Sequence, residues 1–130
     1  MDSRDPGTFL GAWNLITERL LEQYPNATIV FLTSWRLNPQ PRENDTITSI
    51  EFSESVITLY EEKYADNDRI ALINAGDPAV SGVDMRNTEW RTEYSTDSYH
   101  LKDTGMAVMA DNMLPLLWNI VREKRAADAQ

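Results

Sequence analysis

The chain contains one histidine, His100, and an aspartate, Asp97, stands three positions before it. A loop aspartate at this spacing can curl back and accept a hydrogen bond from the imidazole Nδ1–H. Such a bond fixes the tautomer and leaves Nε2 free to act as a general base. The alternative interpretation is a surface or structural pair, since a lone Asp-x-x-His is more often one of these. The residues around the pair are therefore needed to choose between the two.

The residues after His100 predict a long helix. Apolar residues recur there at helical spacing, at Met106, Met109, Met113, Leu117 and Ile120. The helix should begin near Asp103 or Thr104, which places His100 in the loop just ahead of it. Pro115 falls inside the helix and should bend it, because proline lacks a backbone donor. The composition over 122–130 predicts a helix end that frays into a tail.

The upstream sequence predicts the elements that position this loop. Apolar residues at helical spacing indicate a helix over 8–23. Continuous β-favouring runs over 28–33 and 69–74 are typical of strands buried on both faces of a parallel sheet. Between them, Thr48 and Glu51 form a capping box that opens a second helix. The sequence therefore predicts a single domain of class α/β, with three α/β/α layers and parallel strands.

Two polar segments hold the other candidate binding residues. Trp35 and Arg36 open the segment 34–45 right after the first strand, at the sheet edge where α/β proteins bind ligands. They would line a substrate pocket; in the alternative interpretation Trp35 packs under the loop and Arg36 is solvated. Trp90 lies in the segment 76–96 and is a further candidate for substrate binding. That segment is long for a structureless loop, so it is either functional or contains short helical turns.

Two stretches of the chain resemble the SGNH (GDSL-type) hydrolases. One is Asp97–Trp118, DSYHLKDTGMAVMADNMLPLLW, which resembles the family's last block; the other is Thr8–Thr33, TFLGAWNLITERLLEQYPNATIVFLT. The resemblance implies a flavodoxin-like fold, present in part, and hydrolysis of a carboxylic ester such as an acetylated carbohydrate or a short acyl lipid. His100 would be the general base, and Asp97 would orient it within a Ser-His-Asp triad.

The family's nucleophile and oxyanion donors have no counterpart at matching positions. Gly76-Asp77-Pro78 has a proline where the family's serine would stand, and it comes far too late in the chain. Ser34 is the best-placed internal serine, at the end of the first strand, but it lacks a glycine-flanked elbow that would expose its Oγ. We expect the chain to correspond to the C-terminal portion of such a hydrolase, with the nucleophile supplied from outside it.

A second function from a different class is a non-catalytic assembly or binding module. Two strands make a sheet that is marginal in water, and apolar strand edges favour pairing with another chain. The sequence therefore predicts a homodimer, or a complex with a separate N-terminal chain.

Composition excludes several kinds of partner. The net charge of −9 and a pI of about 4.5 argue against nucleic acid or an anionic membrane. The sequence has no cysteine and only one histidine, so it predicts neither a disulfide nor a metal site. No cofactor is expected. No apolar run is long enough to span a membrane, and the N-terminus shows no signal region, so the default localisation is cytoplasmic.

Overall fold

The computed structural model describes residues 7–35, 48–97 and 100–128. These residues form a mixed structure of helices and a small sheet. The elements are α1 (Phe9–Gln23), β1 (Ile29–Leu32), α2 (Ser49–Leu59, continued by a π-helical turn over Tyr60–Tyr64), β2 (Ile70–Ile73), α3 (Pro78–Ser81), α4 (Thr88–Tyr94) and α5 (Asp103–Asp128). Within the described ranges, no helix has the length and apolar character needed to cross a membrane.

The first two helices begin where local capping groups predict. Thr8 caps α1, and its Oγ1 accepts a hydrogen bond from the Gly11 N–H at 3.0 Å. The predicted capping box of α2 is confirmed. The Glu51 N–H donates to Thr48 Oγ1 at 3.2 Å, and the Thr48 N–H donates to Glu51 Oε2 at 2.6 Å. Both caps satisfy backbone donors that have no partner within the helix.

The two strands pair in parallel, as predicted. Ile29 is in register with Ile70, and Leu32 with Ile73. Just beyond the strands, Thr33 Oγ1 donates to Asn74 Oδ1 at 2.8 Å and accepts from the Gly76 N–H at 3.3 Å. This short network joins the carboxyl ends of both strands, where loops follow.

Alternating strand residues place apolar clusters on the two faces of the sheet. On one face, α1 and α2 pack around Phe31 and Ile70, with Val56, Leu59 and Tyr64 also buried. On the other face, Ile73 and Val30 belong to a cluster with Met113 of α5. The sheet is therefore covered by different helices on its two faces.

The segment predicted as either functional or partly helical contains two short helices. Asp77 caps α3, with Pro78 in its first turn, and Asn87 caps α4. Asn87 Oδ1 accepts from the Glu89 N–H at 2.9 Å. Side-chain caps of this kind allow short helices to form without a long apolar period.

The last helix begins at Asp103 as predicted but extends further than expected. It reaches Asp128, so 122–128, where the composition predicts a helix end that frays into a tail, is helical in the structure. The physical reason is that Arg, Glu, Lys and Ala all favour helix, and no glycine or proline interrupts them. The helix also continues through Pro115.

Candidate functional site

Asp97 and His100 form the hydrogen bond that their spacing predicts. Asp97 Oδ2 lies 2.6 Å from His100 Nδ1, and Asp97 Oδ1 accepts from the His100 backbone N–H at 2.7 Å. One carboxylate thus holds both the ring and the backbone of the histidine. Because an ionised carboxylate only accepts hydrogen bonds, the neutral imidazole must carry its proton on Nδ1. Nε2 is then left as the basic nitrogen.

Backbone and side-chain bonds close the loop that carries the pair. Ser95 and Leu101 form an antiparallel bridge, and the buried Ser95 donates its hydroxyl to the His100 carbonyl at 2.9 Å. The Lys102 N–H donates to the Tyr94 carbonyl at 2.8 Å. The loop base is therefore fixed on both sides of the histidine.

Close packing anchors the loop to the start of α5. Leu101 is buried in a cluster with Val83 and Met85. A Cβ added at Gly105 would lie 2.7 Å from the Tyr94 carbonyl oxygen, which is closer than real side chains approach. Glycine at this position therefore lets the first turn of α5 touch the end of α4. The glycine in the family-like stretch has a packing role in this structure.

The pair itself is open to solvent. The His100 side chain is 77% exposed and that of Asp97 49%. An exposed, oriented imidazole can accept a proton from a group that approaches from outside. The described residues contain no group of three or more His, Cys, Asp or Glu side chains able to hold a metal ion.

A polar hollow lies beside the loop. Its volume is about 520 Å³, and it is lined by Arg91, Thr92, Ser95, Thr96 and Lys102. Lys102 Nζ donates to the Thr92 carbonyl at 2.8 Å and to the Glu93 carbonyl at 3.1 Å, so this cation also closes the end of α4. The lining of this hollow is therefore polar, and it comes from residues that flank Asp97 and His100 in the sequence.

An apolar groove lies at the carboxyl end of β1. Its volume is about 430 Å³, and its walls include four aromatic residues, Phe9, Trp13, Trp35 and Phe52. Ser34 also lines it. This is the sheet edge at which the sequence predicts a pocket next to Trp35.

The predicted binding residues fall in different places. Trp35 lines the groove and also packs against the cluster of Leu101. Most of the loop under which the alternative interpretation puts it lies outside the described residues. Trp90 lies on α4, with its ring centroid 4.8 Å from that of Tyr94, and is not among the residues that line the groove. Arg36 lies outside the described residues. Neither Asp97 nor His100 is among the described residues that line the groove.

Sequence reasoning did not single out Ser53. This residue of α2 lines the same groove and is buried. A serine inside an amphipathic helix carries no signal of its own. Ser53 can be recognised as a lining residue only from the folded structure, in which α1 and the end of β1 surround it.

Comparison with known proteins gives no relative. No protein-family model, no curated protein and no solved structure matches this chain.

Proposed function

We propose that this chain provides the Asp–His pair of a serine ester hydrolase of the SGNH type, on a partial flavodoxin-like α/β/α scaffold. One observation carries the proposal. The Asp97 carboxylate holds His100 through both the ring Nδ1 and the backbone N–H, at 2.6 and 2.7 Å. A merely structural surface pair does not need the ring to be oriented as well as the backbone.

The chemistry follows from this orientation. A serine Oγ supplied from outside these 130 residues would attack the ester carbonyl while His100 Nε2 takes its proton. Asp97 would stabilise the imidazolium that forms, and His100 would then protonate the leaving alcohol. In the second half of the reaction, His100 would take a proton from water, which would hydrolyse the acyl-serine ester and free the serine. Asp97 acts through His100 and is a positioning residue.

The polar hollow beside the loop favours a hydroxyl-rich substrate. Arg91 offers donors there, and the hydroxyls of Ser95 and Thr96, which donate to the His100 carbonyl, can still accept hydrogen bonds. An O-acetylated carbohydrate matches this lining better than a long acyl lipid would. The net charge of −9 further favours a neutral substrate over an anionic one.

The test is hydrolysis of p-nitrophenyl acetate, with and without an N-terminal fragment of an SGNH hydrolase that carries a serine nucleophile. We expect slow, burst-free turnover by the chain alone. We expect faster turnover with the fragment, and a loss of about 10²–10⁴-fold on His100→Gln. Asp97→Asn should lower the same rate while Ser34→Ala leaves it unchanged.

Two outcomes would overturn the proposal in different ways. Robust turnover by the chain alone that Ser34→Ala abolishes would make Ser34 the nucleophile. Turnover with the fragment that His100→Gln leaves unchanged would show that the pair takes no part. Because the chain has one histidine, its imidazole nitrogen resonances give a direct check. The Nδ1–H tautomer should dominate in the wild type and lose that dominance in Asp97→Asn.

A second candidate function is the self-associating module, and the last helix favours it. Leu114, Leu117, Trp118 and Val121 are all exposed on α5. Their spacing of i, i+3, i+4 and i+7 puts them on one side of the helix. We call these four residues the α5 stripe. An exposed apolar stripe of this kind marks an interaction surface.

No strand of the described residues pairs with the edge of β2 that faces away from β1, which we call the free edge of β2. It lies in a second groove and supports the same candidate. This groove, of about 790 Å³, is lined by β2 together with Tyr60, Leu116 and Ile120. In a parallel ladder, alternate residues turn their backbone groups away from the partner strand, so those of Leu72 point away from β1. An added strand would pair with them. Sedimentation equilibrium at micromolar concentration tests this candidate, and a monomer throughout would contradict it.

A further inference from the structure

The groove at the carboxyl end of β1 has the size of a small-molecule site. Its volume of about 430 Å³ falls within the range of roughly 300–1,000 Å³ that is usual for such sites. The side chains of Phe9, Trp13, Leu32, Trp35 and Phe52 supply apolar walls from α1, α2 and the end of β1. No lysine, arginine, aspartate or glutamate is among the described residues that line it.

One polar side chain in this groove has an unmet hydrogen-bonding need. Ser53 is only 5% exposed, and its Oγ is buried without a hydrogen-bond partner among the described residues. Ser55, two positions further along α2, shows the usual arrangement, because its Oγ donates to the Glu51 carbonyl at 2.7 Å. Buried hydroxyls are nearly always paired, so the state of Ser53 calls for an explanation.

We propose that this groove binds a small neutral molecule with an apolar chain and one oxygen that accepts a hydrogen bond from Ser53 Oγ. Medium-chain alcohols and esters have this chemistry. A carboxylate would meet no cation among the described lining residues and would enter a protein of net charge −9. Binding here is independent of the proposed ester hydrolysis and would stand even if His100 were inert.

The experiment is a titration of the ¹⁵N-labelled protein with 1-octanol, observed at the four tryptophan indole N–H groups. Trp13 and Trp35 line the groove, whereas Trp90 and Trp118 do not. We expect saturable shifts at Trp13 and Trp35 and none at the other two. Octanoate at pH 7 should bind more weakly than 1-octanol.

Ser53→Ala tests the hydrogen bond. Loss of one neutral bond should weaken 1-octanol binding by about three- to tenfold. The same variant should melt at a higher temperature than the wild type, because the unpaired buried hydroxyl is gone. A structural role for Ser53 would not give a gain in stability together with a loss of affinity.

Thr28→Val is the matched control. Thr28 Oγ1 is also buried without a partner among the described residues, but Thr28 lines the groove beside β2. The variant should also melt higher, yet bind 1-octanol as the wild type does. Unchanged affinity in Ser53→Ala, tighter binding of octanoate, or shifts confined to Trp118 would each overturn the proposal.

Discussion

The two faces of the sheet are covered to very different degrees. On one face Phe31 is 2% exposed, and its ring centroid lies 5.7 Å from those of both Trp13 and Tyr64 in edge-on contacts. On the other face α5 is 26 residues long, yet Leu114 remains 60% and Trp118 56% exposed. The α1 and α2 side forms a closed core, whereas α5 uses only part of its apolar surface.

This difference separates residues that stabilise the fold from residues available for an interaction. Aromatic rings in edge-on contact add to the free energy of burial, so the cluster around Phe31 should dominate stability. The α5 stripe contributes little free energy of burial to the isolated chain, because its side chains stay in water. Substitutions on the two sides should therefore have effects of different size and different kind.

The largest effect is expected at Phe31. Phe31→Ala should lower the free energy of unfolding by about 3–5 kcal/mol, since it removes buried area and leaves a cavity. Trp118→Ala removes an even larger side chain but should cost less than about 0.5 kcal/mol in dilute protein. Urea unfolding followed by circular dichroism gives both values. Equal losses at low protein concentration would show that the two sides do not differ.

The second prediction concerns association through the α5 stripe. Leu114→Lys with Trp118→Lys should weaken self-association at least tenfold, because each buried large side chain is worth roughly 1.5–3 kcal/mol. Both substitutions reduce the net negative charge and so reduce repulsion between copies. Weaker association of the double variant would therefore come from the loss of apolar contacts at the α5 stripe and not from charge repulsion.

Ala126→Lys is the control for this pair. Ala126 is exposed on α5 but lies outside the stripe, so this variant should sediment like the wild type. Unaltered association in the double variant would exclude the stripe as the interface. The free edge of β2 would then be the surface to test.

Much of the α1 and α2 side could be predicted from the sequence because its signals are local. The runs 29–32 and 70–73 are apolar throughout, and Thr48 and Glu51 satisfy each other three positions apart. The Asp97–His100 bond is local in the same way. Its second contact, from the His100 backbone N–H to Asp97 Oδ1, was not predicted.

What the sequence does not reveal depends on distant partners. Lys63 lies in the π-helical turn that continues α2, and its Nζ reaches Glu18 at 2.6 Å and Asn14 at 2.7 Å across 45 and 49 positions. Ser53 becomes a candidate binding residue only once α1 and β1 surround it. Periodicity within one element carries no information about such contacts.

The third prediction tests this network between α1 and α2. Asn14 Oδ1 accepts from the buried Tyr64 hydroxyl at 2.6 Å and from Lys63 Nζ at 2.7 Å. Asn14→Ala should lower the free energy of unfolding by about 1–3 kcal/mol, because the Tyr64 hydroxyl is left unpaired in the core. Adding Tyr64→Phe should recover part of that loss, since both partners are then removed. Strictly additive losses would show that the two groups are not coupled.

The smallest effect is expected at alkaline pH and comes from the same network. The hydrogen bond to Glu18 raises the pKa of Lys63 above its ordinary value of 10.5, and burial raises the pKa of Tyr64 above 10.0. Both folded pKa values are raised, so this stabilisation is fully present below the unfolded values. It is lost as pH rises beyond about 10 through the folded values. The urea midpoint should therefore fall between pH 9 and 11, and Tyr64→Phe should make that fall shallower. General repulsion among the excess negative charges acts on both proteins alike, so an equally steep fall in the variant would show that repulsion, and not Tyr64, causes the alkaline loss.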